Sequence, residues 1–373
     1  MLLKSLKVKP VVTKISRGKI HGQGDFKRYV YILLETDAGN SFSEVYCGSY
    51  DFHSVTAIVK NLEDKLIGKK FWFQDVLDNK LHQPFISGGG VHQTIISSIY
   101  NCILLLDLSW KSDLSPVHKT SRTYISGGTV KSTIKEMETE IAFAKSLGIS
   151  DYKVRLDYRD LDRCFERIDF LNQQSINYAV DLIVNTNHTS RNELPLSSLL
   201  ERFDTSKLLW LEEPVFPTAP EEWESILQIC REMGITVALG ESLTSKLELE
   251  YVLNHPMIGM VQIDATHCSD LLTLQDFKQR VLNREKVLGF HNWGSYVTLI
   301  LNGFLNETSG RCFFEIPFYQ TDFDAEVIQS LDCRLETLGV PSLCFDDFDS
   351  IREALFKVIS RYAEKDYKDF SWS

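Results

Sequence analysis

Residues 152–185, YKVRLDYRDLDRCFERIDFLNQQSINYAVDLIVN, carry the pattern on which the fold turns. Tyr152 to Leu156 is a short run of β-forming and apolar residues. Leu161, Phe165, Ile168 and Leu171 then recur at three- and four-residue spacing, which places them on one face of a helix. Val180 to Asn185 (VDLIVN) resumes an extended run. Strand, amphipathic helix and second strand in succession are the unit from which parallel sheets are built.

The same texture runs both ways along the chain. Ile134, Met137, Ile141 and Ala144 mark a helix over 132–147, with Gly148 placed to stop it. Between helices lie TYIS (123–126), YKVRL (152–156), VDLIVN (180–185), KLLWLE (207–212), TVALGE (236–241), MVQID (260–264), VLGFH (287–291) and CFFE (312–315). Eight strand-helix units close naturally into a barrel, whose chemistry gathers at the carboxyl ends of the strands. Polar residues at strand ends are therefore expected to be functional, and those at strand starts, Asp181 among them, to be surface or bottom-face groups.

Upstream of residue 120 the pattern differs. Tyr29 to Thr36 and Ser41 to Tyr46 flank the turn residues Asp37 to Asn40 and predict a hairpin. The spacing then predicts helices over 55–66 and 95–108. Gly88 to Gly90 match neither dinucleotide nor P-loop spacing, so a plain loop is expected there.

With 373 residues, 43% hydrophobic, the chain can bury a large core. A net charge of -11 argues against a nucleic-acid surface or a polybasic membrane contact, since phosphate binding needs clustered Lys and Arg. The start lacks a long apolar segment and no run is long enough for a membrane helix, so a cytoplasmic protein is expected. The eight cysteines are scattered without C-x-x-C pairs and are expected as reduced thiols. Cys268, next to a strand end, is the one conceivable reactive thiol.

The strand ends carry Lys153 and Arg155, Asn185 and Asn187, Glu212, Glu241, Asp264, His291 and Glu315, spaced one strand-helix unit apart. A histidine closing an apolar run such as VLGFH is ordinarily a satisfied core residue. Here it is one of a series. Asn185, Glu212 and Glu241 on consecutive strands would converge three oxygen ligands of the kind that suits Mg²⁺. Asp264 beside His291 would fix the imidazole tautomer and raise its basicity. A cation and a base on one rim imply abstraction of a carbon-bound proton next to a carboxylate, through a stabilised enolate.

The ordered run YKVRL, VNTN, WLEEP, ALGES, QIDAT, GFHNWGS and FFE resembles the mandelate racemase subgroup of the enolase superfamily, the mandelate racemase/muconate lactonizing enzyme family. SSIYNCILLLDLSWKSDLSPVH and TYISGG extend the resemblance over almost the whole chain. The resemblance implies an α+β capping domain over 1–120, a modified TIM barrel, (β/α)₇β, over 121–325, and a segment over 326–373 returning to the cap. It also implies a divalent metal, usually Mg²⁺, held by the residues at 185, 212 and 241. Asp264 and His291 fall at the dyad, Lys153 and Arg155 at the K-x-K place, and Glu315 at the eighth-strand acid. The capping domain closes the mouth, so Arg17 and His21 in RGKIHGQGDF, with Asn187, Asn292 and Trp293, are substrate-binding candidates. A homo-oligomer, dimer or octamer, is expected by the same resemblance.

Two departures bear on activity. Asn185 stands where the family has Asp, and losing one charge about 4 Å from another is worth about 4 kcal/mol at an effective dielectric near 20. Metal affinity is therefore put in question. Arg155 stands where a second lysine often acts as base, and a guanidinium does not deprotonate. With His291 as the one well-placed base, the expectation is an acid-sugar dehydratase, a lyase on a hydroxy-acid, with Glu315 opposite the base. The alternatives are a racemase or epimerase with a second base, and a catalytically silent carboxylate-binding relative.

Overall fold

The structure, a computed structural model, describes residues 1–20, 24–46, 52–77, 81, 90–108, 122–182, 193–214, 220–305, 310–330 and 348–363. Its centre is a closed barrel of parallel strands: β4 (Arg122–Ser126), β5 (Asp151–Arg155), β6 (Asn177–Asp181), β7 (Leu208–Glu212), β8 (Val237–Leu239), β9 (Ile258–Ile263), β10 (Val287–Phe290) and β11 (Cys312–Pro317), with β11 returning to β4. The helices α4 (Ile134–Ser146), α5 (Leu161–Gln173), α6 (Glu193–Leu200), α7 (Pro220–Glu232), α8 (Lys246–Asn254), α9 (Leu271–Asn283) and α10 (Tyr296–Gly303) alternate with them. Local chemistry sets the helix starts. Thr133 and Glu136 form a reciprocal capping box on α4, Ser245 and Glu248 do the same on α8, and Asp160 caps α5. Gly148, at φ 74, supplies the left-handed residue that ends α4.

Side chains alternate along each strand. Tyr152, Val154, Tyr178, Val180, Leu211, Leu288 and Phe290 face outward into the main core beneath the helices. A second, separate cluster of Tyr124, Ala179, Trp210, Ala238, Met260 and Phe313 fills the barrel interior. Trp210 is its plug, edge-on to Tyr124 and Phe313 with ring centres 5.1 and 5.0 Å away. Continuing the same parity by two residues leads from Trp210 to Glu212 and from Ala179 to Asp181. The plug is therefore the floor on which inward polar residues stand.

The expected hairpin is present as β2 (Phe26–Thr36) and β3 (Asn40–Val45), antiparallel as predicted. It belongs to a larger sheet in which β1 (Leu3–Arg17) pairs with β2 and with β12 (Gln320–Thr321). Helices α1 (Phe52–Leu66), α2 (Phe73–Leu77) and α3 (Gly90–Leu106) follow. Beyond the barrel, α11 (Asp322–Ser330) packs on β1, and α12 (Phe348–Ala363) packs on β1 and β3. Asn101 of α3 is bonded to Ala265 O and Leu271 N, and Tyr46 N to Thr266 O. These bonds seat the antiparallel sheet and its helix over the segment that follows the carboxyl end of β9. No helix among the described residues is long and apolar enough to cross a membrane.

β6 departs from expectation. It ends at Asp181, paired in register with Arg155 and Glu212, and Leu182 already lies outside the strand. The barrel register, not the apolar run, places the strand: Asn177 aligns with Asp151 and Asp181 with Arg155. Asp181 is thus a fully buried strand-end group at the functional mouth, which corrects its assignment to the surface or bottom face.

Candidate active site

Seven strand ends deliver charged side chains to one buried cluster. Lys153 and Arg155 come from β5, Asp181 from β6 and Glu212 from β7. Glu241 and Asp264 follow β8 and β9, His291 follows β10, and Glu315 lies on β11. All are at most 7% exposed, so their mutual geometry decides their charge.

Lys153 Nζ lies 2.5 Å from Glu212 and 2.8 Å from Glu315. Arg155 Nε is 2.7 Å from Asp181. Glu212 also accepts from Trp210 Nε1 at 3.0 Å and Gln262 Nε2 at 2.7 Å, so the barrel plug fixes it from below. Burial alone would drive its carboxyl up, but the Lys153 ammonium reverses this and holds it at about 2. Burial likewise opposes the Lys153 charge, yet Glu212, Glu315 and Glu241 together hold the ammonium above its ordinary range. Glu241 goes the other way: burial first, then the charge of Glu212, push its carboxyl well up.

His291 Nδ1 is 3.0 Å from Asp264 Oδ2. The other Asp264 oxygen accepts from Thr266 N at 2.8 Å and Thr266 Oγ1 at 2.7 Å, which leaves Oδ2 aimed at the ring. His291 Nε2 faces Glu241 at 3.4 Å, and Tyr46 from the capping sheet lies edge-on over the imidazole. The dyad expected from sequence is therefore assembled, oriented and covered. Glu315 is not opposite it: β11 neighbours β10, and Glu315 accepts from Asn292 N at 3.0 Å while pairing with Lys153.

The cluster carries a carboxylate surplus. Asp181, Glu212, Glu213, Glu241, Asp264 and Glu315 face the two fixed cations Lys153 and Arg155. Glu213, at φ 44, accepts from Gly240 N and Ser242 Oγ, and burial pushes its carboxyl to about 7. Asp181, Glu212 and Glu241, on consecutive strand ends, fit a hard divalent cation by donor type and by charge. As they stand they do not enclose one, and no three metal-binding side chains among the described residues do. Lys153 instead lies between Glu212 and Glu315, and Arg155 pairs with Asp181.

Asn185, Asn187 and His21 lie outside the described residues. Arg17 donates to Phe318 O at 2.8 Å and lies over the Phe143 ring, so it ties the capping sheet to the barrel away from the charge cluster. Cys268 is a core thiol: burial raises it well above its ordinary range, its sulfur accepts from Asp264 N, and it donates to Gly240 O. Asn292 and Trp293 line a small cavity beside Arg155. Sequence reasoning missed Asp181, which sits inside an apolar run that continues past it.

Residues 136–304 match the family model described as enolase C-terminal domain-like. Solved structures agree with the whole fold. A member of the enolase superfamily from Polaromonas sp. JS666 superposes with a TM-score of 0.72 at 17% identity, covering 94% of this chain and 97% of its own. The 3,6-anhydro-D-galactonate cycloisomerase from Zobellia galactanivorans gives 0.69 at 16%, covering 88% and 90%. A racemase from Streptomyces coelicolor A3(2), with bound magnesium, gives 0.70 at 17%, covering 84% and 89%.

Proposed function

We propose that the chain belongs to the enolase superfamily, on the side of the mandelate racemase/muconate lactonizing enzymes, and that it abstracts the proton next to a substrate carboxylate and eliminates a β-hydroxyl, as an acid-sugar dehydratase. The observation that carries this reading is the His291–Asp264 pair, with Nε2 turned toward the carboxylates of the barrel mouth.

Asp181, Glu212 and Glu241 would hold a divalent ion, Mg²⁺ by donor type and by the magnesium of the Streptomyces racemase. Bound there, it supplies positive charge to the developing enolate oxygens. In this reading Asp181 takes the ligand place assigned from sequence to Asn185 and would supply the third carboxylate. Lys153 and Arg155 stay protonated and orient the substrate carboxylate. His291 takes the α-proton at Nε2 while Asp264 steadies the resulting imidazolium through Nδ1. The same imidazolium can then return that proton to the leaving hydroxide. Tyr46 and the capping sheet keep water off the ring.

Racemisation is the second reading, favoured by the racemase and cycloisomerase among the structural neighbours. It needs a base on the other face of the substrate. Lys153, held above its ordinary range between two carboxylates, cannot serve in this arrangement. The test is a panel of sugar acids with saturating Mg²⁺ in heavy water. A 2-keto-3-deoxy acid carrying deuterium is expected. Inverted substrate with deuterium at the α-carbon would establish racemisation instead. Absence of both Mg²⁺ binding and turnover would overturn the proposal.

A further inference from the structure

Asn302 stands on α10 and is fully buried. Both ends of its side-chain amide are spent on main chain at the barrel mouth. Oδ1 accepts from Ala265 N at 2.9 Å, and Nδ2 donates to His291 O at 2.8 Å. Ala265 directly follows Asp264, so one amide grips the main chain on both sides of the dyad.

The register explains its place. β9 and β10 pair in parallel up to Ile263 and Phe290, and His291 N still bonds to Ile263 O at 2.9 Å. In a parallel ladder the next bond would run from Ala265 N to His291 O. Asn302 supplies both halves of that bond itself, an acceptor for the N–H and a donor for the carbonyl. An amide is thus inserted into the ladder at the residue pair where Asp264 and His291 meet, their side chains 3.0 Å apart. Across the same residue, Asn101 of α3 donates to Ala265 O at 2.8 Å and accepts from Leu271 N at 2.8 Å. Two buried amides therefore hold Ala265 from opposite sides, and Asn302 is the one bonded to His291.

Resting on His291 as the base, which the dehydratase and racemase readings share, we propose that Asn302 is a positioning residue that sets how His291 Nδ1 meets Asp264. It acts through the main chain of His291 and takes no part in proton transfer. Displacing a reacting group by about 1 Å can cost on the order of 10²-fold in rate, so a grip of this kind is felt in catalysis.

The matched pair Asn302→Ser and Asn101→Ser tests this. Each removes one buried amide from Ala265, and only the first removes the donor to His291 O. The first readout is the Nδ1–H resonance of His291 in protein carrying ¹⁵N-histidine, assigned by its absence in His291→Asn. The second is kcat against KM on the sugar acids turned over at saturating Mg²⁺. Asn302→Ser is expected to shift the resonance and to lower kcat by about 10–100-fold, with KM and Mg²⁺ affinity changed less than about threefold. Asn101→Ser is expected to lower Tm while keeping the resonance in place and kcat within about threefold of wild type. An unmoved resonance or an unchanged kcat in folded Asn302→Ser, or an equal kcat loss in Asn101→Ser, would overturn the proposal and leave a purely structural amide. Asn302→Gln keeps both groups on a longer stem, displaces the grip, and is read in the same way where the serine variant does not fold. Failure of both to fold would also overturn it. If the wild type turns over no acid, the reaction reading falls by itself, and the resonance alone decides the role of Asn302.

Discussion

Asp181 and Arg155 stand in register on adjacent strands β6 and β5, with Arg155 Nε 2.7 Å from an Asp181 oxygen and both side chains buried. This pair puts a carboxylate beside Glu212 at the mouth. Asp181→Asn is expected to lower Mg²⁺ affinity at least tenfold, because one unit charge near a cation is worth about 4 kcal/mol at an effective dielectric near 20, before solvation reduces it. Asn185→Ala should shift the affinity by less than twofold. Calorimetric titration of both variants decides between the two positions. Arg155 loses its partner in Asp181→Asn, so the melting temperature must be measured alongside.

The dyad makes a prediction that depends on which atom bonds which. Both donors of Thr266 hold Asp264 Oδ1, so Asp264→Asn should keep its carbonyl on Thr266 and turn its NH₂ to His291 Nδ1. The imidazole must then carry its proton on Nε2 and cannot accept the substrate's. We expect kcat to fall by about 10²–10⁴ with substrate binding retained. His291→Asn should abolish turnover in a folded protein. Single-turnover kinetics with calorimetric substrate affinity would show this split; full activity in either variant would remove the dyad from the mechanism.

Glu44 predicts a pH signature for the contact between capping sheet and barrel. It is buried on β3 against Ser295 and Thr298 of the barrel, and burial raises its carboxyl from 4.5 to about 7. The folded state thus binds this proton more tightly than the unfolded chain. The associated stability is present below about pH 4.5 and lost as pH rises through 7. In Glu44→Gln that loss disappears. The variant should therefore gain on wild type by up to about 1.4 kcal/mol per pH unit over that window. Urea unfolding of both proteins at pH 5 and pH 8 would show it; a constant gap would not fit.

Legibility from sequence follows the physics of each position. Glu212, Glu241, Asp264, His291 and Glu315 are legible because each closes or interrupts an apolar run at one end, the signature of a strand emerging at a barrel mouth. Asp181 is not, because Leu182 to Val184 extend the apolar run beyond it and only pairing with β5 and β7 fixes where the strand stops. β1 is obscured for a different reason. Its lysines alternate with apolar residues on a sheet whose other face is covered by α11 and α12, which lie more than 300 residues downstream.

Two glycines separate backbone constraint from crowding. At Gly240, φ is +136°, and an added Cβ would stand 2.2 Å from Gln262 O, a backbone atom locked in β9. At Gly289 the nearest atoms are Met260 Cε at 2.4 Å, the end of a flexible side chain, and Gln262 Cγ at 2.9 Å, with backbone no nearer than 3.8 Å. Gly240→Ala must therefore move main chain, and both strain and overpacking act on it, for a loss of about 2–5 kcal/mol. Glu241 is the next residue, so Mg²⁺ affinity should fall with stability. Gly289→Ala should cost less than half as much, because Met260 can change rotamer. Thermal melts and Mg²⁺ titration of the two variants test this, and equal losses would show that the φ of Gly240 is not what constrains the mouth.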